Sequence, residues 1–119
     1  MTARIGLDMK GETAVVTCTG DLDLECAQDL RRTIGAATRS GALTIVVDVS
    51  AAALVDSTTL GVLLHANTAC REAGSTLVVA GASRSVARSI ALTGLDRVLT
   101  LASDIDAGLA IGLPSAADV

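Results

Sequence analysis

A predicted strand gives way to a predicted helix at residues 55–61, whose sequence is Val55-Asp56-Ser57-Thr58-Thr59-Leu60-Gly61. Directly before it, residues 45–49 form a short and almost entirely β-branched run, as a strand buried on both faces of a sheet requires. Directly after it, the pattern predicts a helix over residues 58–73. One acid and three hydroxyls therefore follow one another where the chain leaves the sheet, and we expect the functional site at this junction.

Upstream of the junction, the chain begins with a predicted hairpin. Alternation of apolar and polar residues predicts strands over residues 4–10 and 13–20, joined by a short turn. A helix with apolar residues at helical spacing follows and ends at Gly41. The buried strand then covers residues 43–49, and residues 50–55 are predicted to form a loop.

Downstream of the junction, strands and helices continue to alternate. The patterns predict a strand over residues 76–80, a helix over 84–93 and a brief strand over 98–101. Asp104 or Asp106 can open a last helix, which runs to about Leu113 and is stopped by Pro114. The predicted order is ββαβαβαβα, without a linker or an internal repeat. We therefore predict one α/β domain over residues 1–119, with a mixed sheet of four to five strands covered by about four helices.

Composition and charge exclude several classes of function. Half of the 119 residues are apolar, yet Phe, Tyr and Trp are absent, so the core must be aliphatic and no aromatic ring can stack on a nucleic-acid base. The formal charge of −4 disfavours nucleic acid and anionic membranes as partners. No apolar run approaches the ~18–20 residues of a membrane span, and the first residues lack the apolar stretch of a signal peptide. We expect a cytoplasmic protein.

The central helix sorts into two faces at about 100° per residue. Its predicted sheet-facing side consists of Val62, Leu63, Ala66, Ala69, Cys70 and Ala73. Ser57, Gly61, Thr68 and Glu72 form the opposite, solvent stripe, with Leu64 at its edge. Gly61 costs the helix ~0.5–1 kcal/mol relative to Ala and gives no core packing, but it allows another backbone to approach Ser57. This pattern indicates a docking face.

Ser57 has two interpretations from its local sequence. A hydroxyl in the first turn of a helix lies near unpaired backbone N–H groups and the positive end of the helix dipole, which would favour an added phosphate. Alternatively, Asp56 or Ser57 is simply the N-cap of the helix, since both residue types are common there.

Three motifs resemble those of STAS domains, the family of anti-sigma factor antagonists and of sulfate-transporter regulatory domains. The run from Asp56 to Gly61 resembles the family's D-S-[ST]-G-L-G motif, and Gly20-Asp21-Leu22-Asp23 resembles its G-E-L-D stretch. Residues 83–88, followed by Thr93-Gly94-Leu95, resemble its S-P-x-V-x-R…S-G-L segment. The matches occur in the family's order and spacing and cover essentially the whole chain.

The resemblance implies a bacterial partner-switching protein, an anti-sigma factor antagonist (anti-anti-sigma factor). In that family the antagonist captures an anti-sigma factor and thereby releases a sigma factor. The anti-sigma factor is also a kinase of the serine at the position of Ser57, and phosphorylation breaks the complex. A metal-dependent serine phosphatase restores the antagonist. ATP and metal belong to those partners, so the resemblance implies neither a cofactor nor a metal site in this chain.

The resemblance and the predicted docking face together define the candidate site. We predict phosphorylation on Ser57 and partner contacts by Asp23, Asp56, Ser57, Thr58, Gly61 and Leu64. As a bare feature of the sequence, Asp23 can also be read as an N-cap.

Thr59 departs from the family, because it stands where Gly is common. It falls near the predicted sheet-facing side of the helix and should not block approach to Ser57. Thr58 or Thr59 could compete with Ser57 as phosphoacceptor.

No feature of the sequence predicts an enzyme. His65 is the single histidine and has no second ligand at metal-binding spacing. Cys18 and Cys70 fall at apolar positions, which predicts buried thiols, whereas Cys26 lies near a helix start, where a thiolate would be favoured. A redox-gated version of the switch, using these cysteines, is a further interpretation. The alternative function is a non-switching STAS accessory subunit of a transporter or of a larger signalling assembly.

Overall fold

Residues 3–111 are described by the structure, a computed structural model, and they form five strands, four α-helices and one short 3-10 helix. The strands are β1 (Arg4–Lys10), β2 (Thr13–Leu22), β3 (Thr44–Val55), β4 (Thr76–Ala80) and β5 (Thr100–Ala102). The α-helices are α1 (Leu24–Arg39), α2 (Ser57–Glu72), α3 (Arg84–Leu92) and α4 (Ile105–Ile111). The 3-10 helix covers Leu95–Arg97.

The five strands form one mixed sheet in the order β1-β2-β3-β4-β5. β1 pairs with β2 in antiparallel fashion, and β2, β3, β4 and β5 pair in parallel. The predicted α/β class, the order of elements and the opening hairpin are therefore confirmed. Since β2 and β3 are parallel, their carboxyl ends meet at the same edge of the sheet, where each continues into a helix.

The sheet is buried on both faces at its centre. Ile45, Val47 and Val49 belong to an aliphatic core that also contains the buried side chains of α1, α2 and α3. Val46 points to the other face, where α4 covers it: a Cβ on Gly108 would lie 3.1 Å from Val46 Cγ1. The alternation along β3 confirms the prediction of a strand buried on both faces.

The predicted loop over residues 50–55 is wrong, because β3 continues to Val55. The partner strand explains the difference: β2 runs to Leu22 rather than ending at residue 20, and Leu22 pairs with Val55. Shifts of register along the pairing, at residues 17–19 and 20–21, interrupt the regular alternation that would have indicated a strand. Ala52 and Val55 nevertheless point into the core.

Two elements near the end of the chain differ from the prediction in their bounds. The expected strand over residues 98–101 is β5, which begins only after the 3-10 helix. Asp104 opens α4, because its Oδ1 accepts a hydrogen bond of 2.8 Å from the Ala107 amide. Of the two possible starts, residues 104 and 106, the first is therefore confirmed. The predicted extension to Leu113, and Pro114 as its stop, lie outside the described residues.

The buried side of α2 is only partly the one predicted. Val62, Leu63 and Cys70 are buried as expected, whereas Ala69 and Ala73 are exposed. Ala66 is half-buried. The predicted solvent stripe is confirmed at Ser57, Thr68 and Glu72, which are exposed, while Gly61 is half-buried.

The buried side of α2 also includes two polar residues, of which the sequence predicts only Thr59 near the sheet. Thr59 and Asn67 are both buried, Thr59 completely. The Thr59 hydroxyl donates to the Leu22 carbonyl at 2.8 Å, and the Asn67 amide donates to the Val98 carbonyl at 3.5 Å. A hydrophobicity pattern places a residue such as Asn67 outside, whereas these hydrogen bonds offset the cost of burying both polar side chains.

Candidate functional site

The candidate site lies at the carboxyl edge of the sheet, where β2 leads into α1 and β3 leads into α2. The backbone amide of Asp56 donates to the Leu22 carbonyl at 3.0 Å, so the ends of the two strands are held side by side. Asp23 and Asp56 each stand between a strand and a helix at this edge. In parallel sheets, the edge formed by the carboxyl ends of the strands is the usual location of functional groups.

Asp56 is the N-cap of α2. Its Oδ1 accepts a hydrogen bond of 2.8 Å from the backbone amide of Thr59. The capping interpretation is therefore correct for Asp56 and leaves Ser57 as the first residue of the helix. Ser57 is exposed, and within residues 3–111 its side chain makes no hydrogen bond to another residue. Its hydroxyl consequently faces solvent and does not stabilise the fold through a hydrogen bond.

Asp23 has the equivalent position at the start of α1. Its Oδ1 accepts a hydrogen bond of 3.1 Å from the Glu25 amide, which confirms the N-cap interpretation. A contact with a partner protein is compatible with this cap, because a carboxylate has a second oxygen and lone pairs to spare. The two helix starts thus bring two carboxylates to the same edge as Ser57.

Thr58 and Thr59 differ sharply in their surroundings. Thr58 is exposed beside Ser57, whereas Thr59 points to the sheet, as the sequence predicts, and is completely buried. Because the Thr59 hydroxyl is bonded to Leu22, it cannot reach an enzyme without local unfolding of the helix start.

Gly61 and Leu64 extend the site along α2. A Cβ added to Gly61 would meet no atom within 4 Å outside the helix's own turns, so the space over this residue is open. Leu64 is half-buried and lies one turn further on. The structure thus places Asp23, Asp56, Ser57 and Thr58 at the two neighbouring helix starts, with Gly61 and Leu64 about one and two turns further along α2.

Two exposed leucines at this edge were missed by the sequence analysis. Leu24, beside Asp23, is 71% exposed, and Leu54, two residues before Asp56, is 50% exposed. An exposed leucine within two residues of each helix cap gives the site an apolar component suited to contact with another protein. Correct extension of β3 to Val55 would have revealed Leu54, because Val55 points inward and its predecessor must point outward.

The three cysteines are buried, so none is an accessible nucleophile. Burial raises the pKa of the Cys18 thiol to about 12 and also raises the pKa of Cys70. The pKa of Cys26 is raised in the same way, because desolvation outweighs the hydrogen bond of 3.3 Å from its Sγ to the Asp23 carbonyl. The prediction of buried thiols is therefore confirmed for Cys18 and Cys70, and the prediction of a favoured thiolate at Cys26 is wrong.

Within the part of the chain that the structure describes, no three His, Cys, Asp or Glu side chains come together in a way that could hold a metal ion. His65 is exposed on α2. No helix among residues 3–111 has the length and apolar character needed to span a membrane.

The chain matches the family model described as Mlab, STAS domain, over residues 5–102. The matched segment runs from β1 to β5 and includes both helix starts of the candidate site. No curated protein sequence matches the chain.

Several solved structures share the fold. An anti-sigma factor antagonist from Mycobacterium paratuberculosis is 24% identical, with a TM-score of 0.84, covering 92% of this chain and 93% of that one. The anti-sigma factor antagonist SpoIIAA in its unphosphorylated form is 23% identical, with a TM-score of 0.76, covering 94% of this chain and 100% of that one.

Two further structures extend the comparison. The Bacillus cell fate determinant SpoIIAA in its phosphorylated form is 22% identical, with a TM-score of 0.70 and coverages of 91% and 99%. A sulfate transporter family protein from Wolinella succinogenes is 16% identical, with a TM-score of 0.77 and coverages of 87% for both chains. The family model, the order of the elements and the shared fold lead to one conclusion: the chain belongs to the STAS domain family.

Proposed function

We propose that this STAS domain is an anti-sigma factor antagonist that is switched off by phosphorylation on Ser57. The proposal rests on the surroundings of Ser57, which is exposed at the first position of α2. Its hydroxyl is not needed as a helix cap, because Asp56 already caps the helix. The unphosphorylated protein captures an anti-sigma factor and so frees a sigma factor for transcription.

The surface around Ser57 supports a protein partner. Asp23 and Asp56 provide charge, and Leu24 and Leu54 provide exposed apolar area next to them. Gly61 leaves open space in which a partner backbone can approach. A surface of this kind, with apolar groups among polar ones, is typical of protein interfaces that form and dissociate.

Phosphorylation is carried out by the partner. The Ser57 Oγ attacks the γ-phosphorus of ATP bound to the anti-sigma factor, the bond to the leaving ADP breaks, and the hydroxyl proton passes to a base of that kinase. The phosphate lies at a helix start, whose amides and dipole favour negative charge, so the fold survives. A serine phosphatase later hydrolyses the phosphoester and regenerates the antagonist.

The domain itself catalyses no step of this cycle and needs no cofactor. Thr59 is unavailable as phosphoacceptor because its hydroxyl is buried and bonded to Leu22, so the choice is between Ser57 and Thr58. Since sigma factors act in the cytoplasm of bacteria, the proposal implies a cytoplasmic protein.

A titration of the cognate anti-sigma factor with this chain tests the proposal. We expect a complex with the unphosphorylated chain, release of the sigma factor on its addition, and loss of the complex after incubation with ATP. An anti-sigma factor that does not bind the unphosphorylated chain would contradict the proposal.

The second candidate function is a non-switching STAS accessory subunit of a transporter or larger signalling assembly. The fold of the Wolinella succinogenes sulfate transporter family protein favours it. Neighbouring genes distinguish the two functions: a gene for a kinase-like anti-sigma factor supports the first, and genes for a transporter permease support the second.

A further inference from the structure

A groove of about 570 Å³ lies between α1 and α2 and contains none of the residues assigned to the Ser57 site. Its floor is apolar and includes Ile34 of α1 with Val62 and Ala66 of α2. On the α2 side, the short side chains of Ala66 and Ala69 leave room in the groove. Its volume falls in the range of ~300–1,000 Å³ that is usual for sites of small ligands.

Two arginines give the groove positive charge in a chain whose formal net charge is −4. Arg31, Arg39 and His65 line it, and no acidic residue does. Arg32, which does not line the groove, forms an ion pair of 3.3 Å with Asp29. By contrast, Arg31 and Arg39 have no ion-pair partner anywhere in residues 3–111.

The guanidinium of Arg39 is directed into the groove. A Cβ built on Gly35 would lie 3.1 Å from Arg39 Nη1, so the arginine folds back along α1 over the glycine. Gly35 has no left-handed backbone conformation to explain it, and in a helix interior it costs ~0.5–1 kcal/mol relative to Ala. Its contribution is the space that the guanidinium occupies.

Arg31, Arg39 and His65 all line this one groove. The Thr38 hydroxyl is 3.7 Å from Cys70 Sγ, so α1 and α2 lie side by side along the groove. Arg31 lies four residues before Gly35, an axial rise of ~6 Å, and Arg39 reaches back to Gly35. The groove thus has basic side chains and an apolar floor together.

We propose that this groove binds a small anionic amphiphile, an acyl chain with a carboxylate or phosphate head. The head lies between Arg31, Arg39 and His65, and the chain lies on Ile34, Val62 and Ala66. An inorganic anion would leave the apolar floor unused, and a protein interface of standard size covers ~800 Å² of each partner, more surface than a groove of this volume presents. The proposal does not depend on Ser57 or its phosphorylation.

Titration calorimetry of the full chain with sodium decanoate and with decyl phosphate, both below their micelle concentrations, tests the proposal. We expect saturable binding of at least one of them. A preference for decanoate indicates a fatty-acid type of ligand, and a preference for decyl phosphate indicates a phospholipid type. Pentanoate, with a short chain, and decyltrimethylammonium, with the opposite charge, should each bind at least tenfold more weakly.

Variants locate the ligand in the groove. Arg39→Gln and Arg31→Gln should each weaken binding about two- to fivefold, since each removes an exposed ion pair with the head group. Arg32→Gln is the matched control, because it changes the same charge on the same helix outside the groove and should leave binding unchanged. Ala69→Leu narrows the groove from an exposed position and should weaken binding at least tenfold while urea denaturation shows an intact fold.

Several results would overturn the proposal. The first is that neither anionic amphiphile binds. The second is that decyltrimethylammonium binds with the same affinity as decanoate, and the third is that Arg32→Gln and Arg39→Gln lose the same amount of binding affinity. Sedimentation that shows a dimer broken by Ala69→Leu would assign the groove to a second copy of the chain instead. Ser57→Ala should bind decanoate with the same affinity as the wild type. This control makes the test of the groove independent of whether Ser57 is phosphorylated.

Discussion

The hydroxyl of Thr59 donates a hydrogen bond of 2.8 Å to the carbonyl oxygen of Leu22, 37 residues earlier in the chain. The same oxygen accepts the backbone amide of Asp56 at 3.0 Å. Two hydrogen bonds to one carbonyl thus fix the start of α2, and with it Ser57, to the end of β2. A glycine at position 59 would have no side chain to donate to the Leu22 carbonyl, whereas the threonine hydroxyl provides this hydrogen bond.

Replacing Thr59 by valine should destabilise the fold by ~0.5–1.5 kcal/mol, the net value of one hydrogen bond. The loss stays modest because the Leu22 carbonyl keeps the amide of Asp56 as a partner. Urea midpoints measure the change. Thr58→Val is the matched control, since Thr58 is exposed, and should stay within ~0.5 kcal/mol of wild type. Equal losses in the two variants would show that the hydrogen bond contributes nothing.

Leu63 and Leu64 are neighbours with different burial, which makes them a test of the phase of α2. Leu63 is fully buried in the aliphatic core, so Leu63→Ala should cost ~2–5 kcal/mol. Leu64 is half-buried, and Leu64→Ala should cost clearly less. Denaturant midpoints decide between them, and a larger loss at Leu64 would mean that the orientation of the helix is wrong.

The fold could be predicted from the sequence where local pattern and tertiary contacts agree. The β-branched run at residues 45–49 and the alternating pattern of the opening hairpin each indicate strands from the local sequence alone. Residues 50–55 show no such local pattern, because they form a strand through their pairing with β2. The phase of α2 was only partly correct for a similar reason: Asn67 is buried through a hydrogen bond to the distant Val98 carbonyl, which no hydrophobicity pattern contains.

The candidate site could be predicted from its motif, since Asp56 and Ser57 stand at a strand–helix junction in both the sequence and the structure. Its apolar part could not. Exposure of Leu24 and Leu54 depends on where the strands end and on what covers them, and an isolated leucine in a sequence is normally assigned to the core.

Alkaline pH should destabilise the protein through its buried thiols. The pKa of Cys18 is raised from 9.0 to about 12 in the folded protein. A thiol with a raised folded pKa contributes its full stabilisation below pH 9, and this contribution is lost as the pH rises toward 12. Each unfolded molecule then releases a proton that the folded one keeps, so stability falls by up to ~1.4 kcal/mol per pH unit for one such thiol.

Urea denaturation between about pH 8 and about pH 11 measures this slope, and the chain is well suited to it because it has no tyrosine and Lys10 is its single lysine. Cys18→Ala removes the titrating group and should flatten the dependence. The slope that remains belongs to Cys26 and Cys70, whose pKa values are raised in the same direction. An unchanged slope in Cys18→Ala would show that this thiol does not control alkaline stability.

Gly61 should serve docking rather than folding. A Cβ at this position meets open space, and alanine is the better helix former, so Gly61→Ala should raise stability by up to ~1 kcal/mol. The same methyl group should weaken capture of the anti-sigma factor, because it occupies the space through which a partner backbone approaches. Thermal denaturation and titration calorimetry measure the two effects. A stabilised variant with unchanged affinity would remove Gly61 from the interface.

Ser57 should accept a single phosphate from the cognate anti-sigma kinase and ATP. Ser57→Ala should remain unphosphorylated, bind the anti-sigma factor and fail to release it when ATP is added. Thr58→Ala is the control, since it removes the neighbouring exposed hydroxyl but leaves Ser57 available. Phosphopeptide mapping identifies the site, and a phosphate on Thr58 in the wild-type chain would overturn the assignment.

The consequence of that phosphate should be loss of the complex with retention of the fold. In the complex the phosphate would be pressed against the partner and stripped of water next to the carboxylate of Asp56, which lies one residue away. Burying an unmatched charge costs several kcal/mol, and ~1.4 kcal/mol corresponds to a tenfold change in affinity, so binding should weaken at least a hundredfold. Ser57→Asp adds a smaller charge and should weaken binding less, while circular dichroism shows an unchanged fold. A Ser57→Asp variant that binds the anti-sigma factor as tightly as wild type would mean that charge at this helix start does not control the complex.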